Sequence, residues 1–168
     1  VRLVVSDYFV PVALALILFG LWFAGRSQAP RERQQKAVMS AALSLALASL
    51  VIVFLTHAWA RPRPFVDLDV SLLFYRPTDS SFPSNMATIA FAMAAAVGLG
   101  HRKLGIGAYV LAALAALARL YAGVHYPLDV LAGAALGIAS TFVCRGILRM
   151  VEPWPSRALR LLRKAYLA

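Results

Sequence analysis

Arg119, His125 and Asp129, spaced by six and then four residues, have the side chains for phosphate chemistry, and they fall where one apolar segment ends and the next begins. An imidazole serves as nucleophile or base once its second nitrogen is held by an acceptor. A carboxylate four residues on reaches that nitrogen if the backbone is already helical. An arginine fork at the same interface offers planar, two-pronged contacts to phosphate oxygens. Two more clusters repeat the theme. Arg61-Pro62-Arg63-Pro64 carries two cations on a chain that proline keeps extended, and two such cations are costly to bury without an anion. Pro83-Ser84 precedes another apolar segment, where Ser84 is a natural N-cap and the first free amides can meet an anion. Each cluster also has a plainer reading: His125 with Asp129 as a helix-capping pair, the arginines as snorkelling side chains, Ser84 as a cap alone.

The elements that must position these clusters are membrane helices. Of the 168 residues, 61% are hydrophobic and only 14% charged. The mean hydropathy of +0.74 lies far outside soluble averages. A span needs about 20 mostly apolar residues. Five segments come close, at 8–25, 37–57, 85–100, 104–122 and 128–148. Strand alternation is absent and the segments are rich in Ala and Leu, which suits close helix packing in lipid. The expectation is an all-α, polytopic transmembrane bundle forming one domain over 1–168. Gly100-His101-Arg102-Lys103-Leu104-Gly105 makes the tight turn of a helical hairpin. The chain opens at Val1 without a methionine, so the reading expects a sixth helix before it.

Charge gives the sidedness. The 26–36 stretch, read as a loop, the 101–103 turn and the tail after 144 hold twelve of the 17 basic residues, against two acids, Glu32 and Glu152. By the positive-inside rule that side is cytoplasmic. The opposite side balances Arg2, Arg61, Arg63, Arg76 and Arg119 with five acids, Asp7, Asp67, Asp69, Asp79 and Asp129. All three clusters therefore fall on the extracytoplasmic face, and their convergence there favours one phosphate site over three unrelated ones.

The net charge of +10 is dispersed over loops and a tail, which fits orientation and anionic lipid rather than nucleic acid. The tail at 153–168, with Trp154, Leu159, Leu162 and Tyr166 among arginines, reads as a basic, interfacial, cytoplasmic amphipathic helix. The single cysteine, Cys144, has no partner for a disulfide and reads as packing. Without a Cys/His cluster or a glycine-rich phosphate loop, neither a metal nor a cofactor is expected.

These residues resemble the type 2 phosphatidic acid phosphatase (PAP2) superfamily of membrane lipid phosphatases. Its pattern is a lysine, six residues and Arg-Pro; then Pro-Ser-Gly-His; then Ser-Arg, five residues, His, three residues and Asp. Here the first element maps to Thr56 through Arg63-Pro64, the second to Pro83-Ser84-Asn85-Met86, and the third to Ala118-Arg119 through His125 to Asp129. The resemblance implies that Arg63, Ser84, Asn85 and Arg119 grip a phosphate, that His125 attacks phosphorus to form a phosphohistidine, and that Asp129 orients His125. It implies no metal.

Four positions depart from the pattern: Thr56 for the lysine, Asn85 for glycine, Ala118 for serine and Met86 for histidine. Arg61 is expected to supply the cation missing at Thr56. Met86 stands where the family's histidine protonates the leaving oxygen, and a thioether has no proton to give. An alkoxide leaving from a monoester needs that proton; a phosphate leaving from a diphosphate, with a second pKa near ~6, needs it little. Met86 thus either biases the chain toward diphosphates or marks an impaired lipid-phosphate-binding relative or inactivated variant. The Arg-Pro-Arg-Pro-Phe form and short chain look most like bacterial undecaprenyl-diphosphate phosphatases. The function implied is hydrolysis of polyprenyl diphosphate to the monophosphate in the bacterial cytoplasmic membrane, with phosphatidic acid and phosphatidylglycerophosphate as alternative substrates. Trp59, Phe65, Phe74, Tyr75 and Phe82 are candidates for the entrance, where Arg76 reads as a salt-bridge partner of the nearby acids Asp67, Asp69 and Asp79.

Overall fold

In a bilayer no water satisfies main-chain groups, so each apolar run must close its own hydrogen bonds as a helix. The computed structural model describes residues 8–67 and 76–165. They form α1 (Phe9–Ala24), α2 (Gln28–Ala58), the single turn α3 (Pro64–Asp67), α4 (Asn85–Gly100), α5 (Arg102–Tyr121), α6 (Pro127–Met150) and α7 (Trp154–Lys164). Among the described residues there is no strand, and the expected all-α membrane bundle is the observed one. Helices α2, α5 and α6 are long and apolar enough to cross a membrane; α1 and α4 are shorter apolar helices of 16 residues. Asp69, Phe74, Tyr75 and the terminal Arg2, Asp7 and Tyr166 lie outside the described residues.

Helix α4 is the axis of the bundle, packed against α2, α5 and α6. Its alanines at 87, 90, 92, 94, 95 and 96 are all buried. Apolar side chains gain little by leaving lipid for protein, so helices associate where small residues let backbones meet. At Gly133 and Gly137 of α6, a methyl group would collide with the carbonyl oxygens of Ser84 and Thr88 on α4. Gly105 of α5 backs onto Gly98 of α4 in the same manner. Thr141 Oγ1 donates to Ala92 O at 3.0 Å across the α4/α6 seam. Large residues such as Leu50, Phe54, Leu117 and Leu131 face outward, toward lipid.

Two expectations change. The 26–36 stretch is mostly helix, since only Gly25–Ser27 separates α1 from α2. Its polar residues are held by α7 and the segment before it. Lys36 pairs with Glu32 at 2.8 Å and Glu152 at 2.5 Å, the Ser156 hydroxyl lies 2.7 Å from Glu32 Oε1 and 2.9 Å from Glu152 Oε2 with one proton to share between them, and Arg163 Nη2 donates to Gln35 Oε1 at 2.7 Å. Paired charges one turn apart support a helix, and their polarity had disguised it as a loop. The 100–105 turn narrows to His101, whose ring accepts the Leu104 N–H at 3.3 Å and caps α5. Gly100 meets Gln34 of α2, so the start of α2, the His101 turn and α7 share one end of the bundle, as the charge count expects. The three clusters share the other.

Candidate active site

Three connections converge at that second end: residues 59–63 after α2, 76–84 before α4, and 122–126 between α5 and α6. Pro62 and Pro64 fix Arg63 on an extended segment at the start of α3. Gly123, at φ 68°, takes a left-handed conformation that suits glycine and reverses the chain. The turn closes through the N–H of Gly123 to Leu120 O at 3.0 Å and that of Val124 to Arg119 O at 3.3 Å. Arg119 in the last turn of α5 and His125 just ahead of α6 thereby reach one cavity of about 240 Å³, lined also by Arg63, Asn85, Met86, Asp79, Tyr8, Pro11 and Ile89.

His125 is 5% exposed. Its Nδ1 lies 2.9 Å from Ser81 O, and a carbonyl only accepts, so Nδ1 carries the proton and Nε2 the lone pair. Arg63 Nη1 stands 3.4 Å from Nε2. Burial lowers the His125 pKa to about 4, helped by the Arg63 and Arg119 cations and opposed by Ser81 O and Asp129. The ring is neutral at pH 7, and its unprotonated Nε2 accepts from Arg63 Nη1.

Arg63 is 6% exposed and heavily engaged. Its Nε donates to Asp79 O at 3.0 Å, Nη1 to Val124 O at 3.0 Å, and Nη2 to Asp79 Oδ1 at 2.8 Å. The Asp79 carboxylate, 67% exposed, thus occupies one edge of the Arg63 guanidinium at the cavity wall. Arg119 is 3% exposed on the cavity wall.

Of the residues assigned to phosphate chemistry in the sequence, Arg63, Asn85, Met86, Arg119 and His125 come together on this cavity, whereas Thr56, Arg61, Ser84 and Asp129 are not among its lining residues. Asp129 was expected to accept the imidazole N–H. Its carboxylate and the imidazole hydrogen-bond to different partners, because residues 123–126 are a turn rather than helix and the spacing of four brings no stacking. Instead Asp129 Oδ2 accepts the Tyr126 N–H at 2.9 Å and the Ser81 hydroxyl at 2.5 Å. Arg61, expected to reach the phosphate, donates through Nη1 to Asp129 Oδ1 at 2.8 Å and stacks 4.3 Å from the Tyr126 ring centroid. Ser84 caps α4, accepting the Ala87 N–H at 3.4 Å, and is wholly buried. The Thr56 hydroxyl turns back to Ile52 O at 2.9 Å and borders a separate recess of about 760 Å³ with His57, Arg61 and Arg76. Arg76 covers the Phe65 ring at 5.1 Å, and Asp79 pairs with Arg63 rather than with Arg76. Trp59 and Phe82 pack together, ring centroids 5.6 Å apart. Sequence reasoning missed Ser81, which holds the imidazole through a main-chain carbonyl that any residue possesses.

Known proteins share this chain's sequence pattern and fold. The PAP2 superfamily pattern matches residues 37–152. The undecaprenyl-diphosphatase BcrC of Bacillus subtilis (strain 168) is 32% identical over 158 residues, covering 94% of this chain and 78% of that protein. The putative undecaprenyl-diphosphatase YbjG of Escherichia coli (strain K12) is 32% identical over 136 residues, 80% of this chain and 65% of its own length. Among solved structures, LpxE of Aquifex aeolicus superposes with a TM-score of 0.62 at 27% identity, over 82% of this chain and 86% of its own. A transmembrane PAP2-type phosphatidylglycerolphosphate phosphatase of Bacillus subtilis shares the fold, with a TM-score of 0.62 at 23% identity over 89% of this chain and 73% of its own. Five apolar helices around a buried imidazole and two arginines thus sit in a chain that belongs to the PAP2 superfamily, as a membrane-embedded lipid phosphatase.

Proposed function

We propose that this chain hydrolyses a polyprenyl diphosphate, of the undecaprenyl class, to the monophosphate at the extracytoplasmic face of the membrane. The observation that carries the reading is the neutral, Nε2-unprotonated His125 facing a cavity walled by Arg63 and Arg119. The Nε2 lone pair forms a bond to the terminal phosphorus while the bond from that phosphorus to the bridging oxygen breaks. The lipid monophosphate leaves with the electron pair. Water then adds to the phosphohistidine, releases inorganic phosphate, gives its proton to solvent and restores the neutral ring. Arg63, Arg119 and the Asn85 amide at the α4 N-terminus neutralise the phosphoryl oxygens, which is most of what phosphoryl transfer asks of a protein. Met86 supports the diphosphate as substrate, because a leaving phosphate with a pKa near ~6 departs without a proton donor. The same methionine favours a second reading, a lipid-phosphate-binding relative without turnover.

Phosphate release in detergent micelles from undecaprenyl diphosphate, phosphatidate and phosphatidylglycerophosphate separates these readings. The diphosphate is expected to turn over at least ~100-fold faster than either monoester, the lower end of what a general acid contributes. Equal rates would overturn the substrate assignment, and binding of all three lipids without release of phosphate would establish the second reading. For Asp79→Asn, removing the carboxylate that competes for Arg63 is expected to lower KM for the diphosphate by roughly 2- to 10-fold with little change in kcat, the scale of a partly exposed ion pair. A rise in KM would show instead that Asp79 holds Arg63 in its working position.

A further inference from the structure

The imidazole of His125 is aimed by Ser81 O, so whatever fixes that carbonyl fixes the nucleophile. Ser81 is wholly buried and tied at both of its other polar groups. Its N–H donates to Arg61 O at 2.9 Å, and its hydroxyl donates to Asp129 Oδ2 at 2.5 Å. Asp129, also wholly buried, takes the Arg61 guanidinium on its other oxygen at 2.8 Å. Arg61, Ser81 and Asp129 therefore close a ring. One arginine grips the serine with its main chain and the carboxylate with its side chain, while the serine hydroxyl joins the two. Asp129 O additionally accepts the Ser84 N–H at 3.0 Å, strapping the segment before α4 to the first turn of α6.

We infer that Asp129 acts on His125 through Ser81, and that Arg61 and Ser81 are positioning residues for the phosphoryl-transfer step. The inference rests on the reading of His125 as nucleophile. A hydroxyl donating to a carboxylate makes a charge-assisted bond, stronger than a neutral one, and Arg61 neutralises a carboxylate that would otherwise be buried alone. Loss of the serine hydroxyl leaves the carbonyl tethered only by its own main chain, so the imidazole samples orientations in which Nε2 misses the phosphorus. Misplacement of about an ångström is enough to slow an oriented reaction roughly 100-fold. Substrate binding, which depends on Arg63 and Arg119, is untouched by this slack.

A double-mutant cycle on the full chain tests the route, using kcat and KM for undecaprenyl diphosphate in micelles. Ser81→Ala is expected to lower kcat by roughly 10- to 100-fold with KM within about 2-fold, the scale of a hydrogen bond to a charged group. Because Asp129 works through the serine, adding Ser81→Ala to Asp129→Asn should cost less than about 3-fold more. Arg61→Lys, which keeps the charge and lacks the planar fork, should lower kcat less than Ser81→Ala does and in the same KM-neutral way. In ¹⁵N-histidine spectra the His125 ring, identified by its absence in His125→Ala, should show a protonated Nδ1 that is lost or broadened in Ser81→Ala. Multiplicative effects in the cycle, or a Ser81→Ala enzyme with native kcat and native Nδ1 signal, would overturn the inference and leave direct contact between Asp129 and His125 as the working arrangement. If His125→Ala itself turns over substrate, the nucleophile reading fails first, and that outcome is read from the same set of enzymes.

Discussion

Replacing His125 by alanine is expected to lower diphosphate turnover by at least roughly 10,000-fold, the scale of deleting a nucleophile, while KM stays within about threefold. The split follows from the division of labour in the cavity. In that reading Arg63 and Arg119 bind charge and remain, whereas the unprotonated Nε2 of His125 goes. Alkaline quenching of a single turnover with β-labelled diphosphate should trap label on the native chain and none on His125→Ala. A variant that keeps native turnover would remove His125 from the chemistry altogether. The depressed pKa adds a second reading on the same group. With the folded value lowered from 6.5 to about 4, the ring should still give the spectrum of a neutral imidazole at pH 5, where an ordinary histidine is mostly cationic. Between those two values the unfolded chain binds a proton that the folded chain refuses, so this group's contribution to stability is present above about pH 6.5 and is lost as pH falls toward 4. A His125 signal titrating near 6.5 would contradict the burial and the two flanking cations alike.

Met86→His should change substrate preference rather than general competence. Met86 is 6% exposed and lines the cavity beside Asn85 and Arg119. An imidazole there can hand a proton to a departing alkoxide, a step that typically contributes 100-fold to 10,000-fold. Phosphatidate turnover is expected to rise by about that range. Turnover of the diphosphate, whose leaving phosphate is already stable as an anion, should rise by less than about 10-fold. Parallel assays on the two lipids decide the matter. Equal gains on both would mean that position 86 does not act on the leaving group, and no gain on the monoester would mean that the new ring does not reach its oxygen.

The fold was legible because the bilayer leaves few options. Five apolar runs of suitable length became α1, α2, α4, α5 and α6, and the basic residues correctly gathered the start of α2, the His101 turn and α7 at one end. What escaped was the first part of α2, where Glu32, Gln35 and Lys36 look like loop residues until Glu152, Ser156 and Arg163 are found against them. Partners more than a hundred positions away leave no local periodicity. On the cavity wall, Arg63, Met86, Arg119 and His125 were legible as positions because the sequence reading of each turned on its own side chain. Asp129 was assigned the wrong neighbour, since a spacing of four implies contact only on a helix and α6 begins at Pro127, after His125. Arg61 was sent to the phosphate because a cation and an anion-binding region look alike in sequence; only coordinates reveal that its anion is a carboxylate of the same chain.

The glycines of α6 carry a consequence for how this chain can vary. Gly133 and Gly137 abut the carbonyls of Ser84 and Thr88, on the very turn that presents Asn85 and Met86, while the heavy side chains of Leu131 and Phe142 on the same helix point into lipid. Substitutability along α6 therefore runs opposite to residue size. A leucine facing the acyl chains can become valine, phenylalanine or methionine with little notice. A single added methyl at Gly137 meets the Thr88 carbonyl and the Ala92 main chain of α4, the helix whose first turn carries Asn85 and Met86. How near α6 comes to the segment that carries Asn85 and Met86 is set by two positions that have no side chain at all.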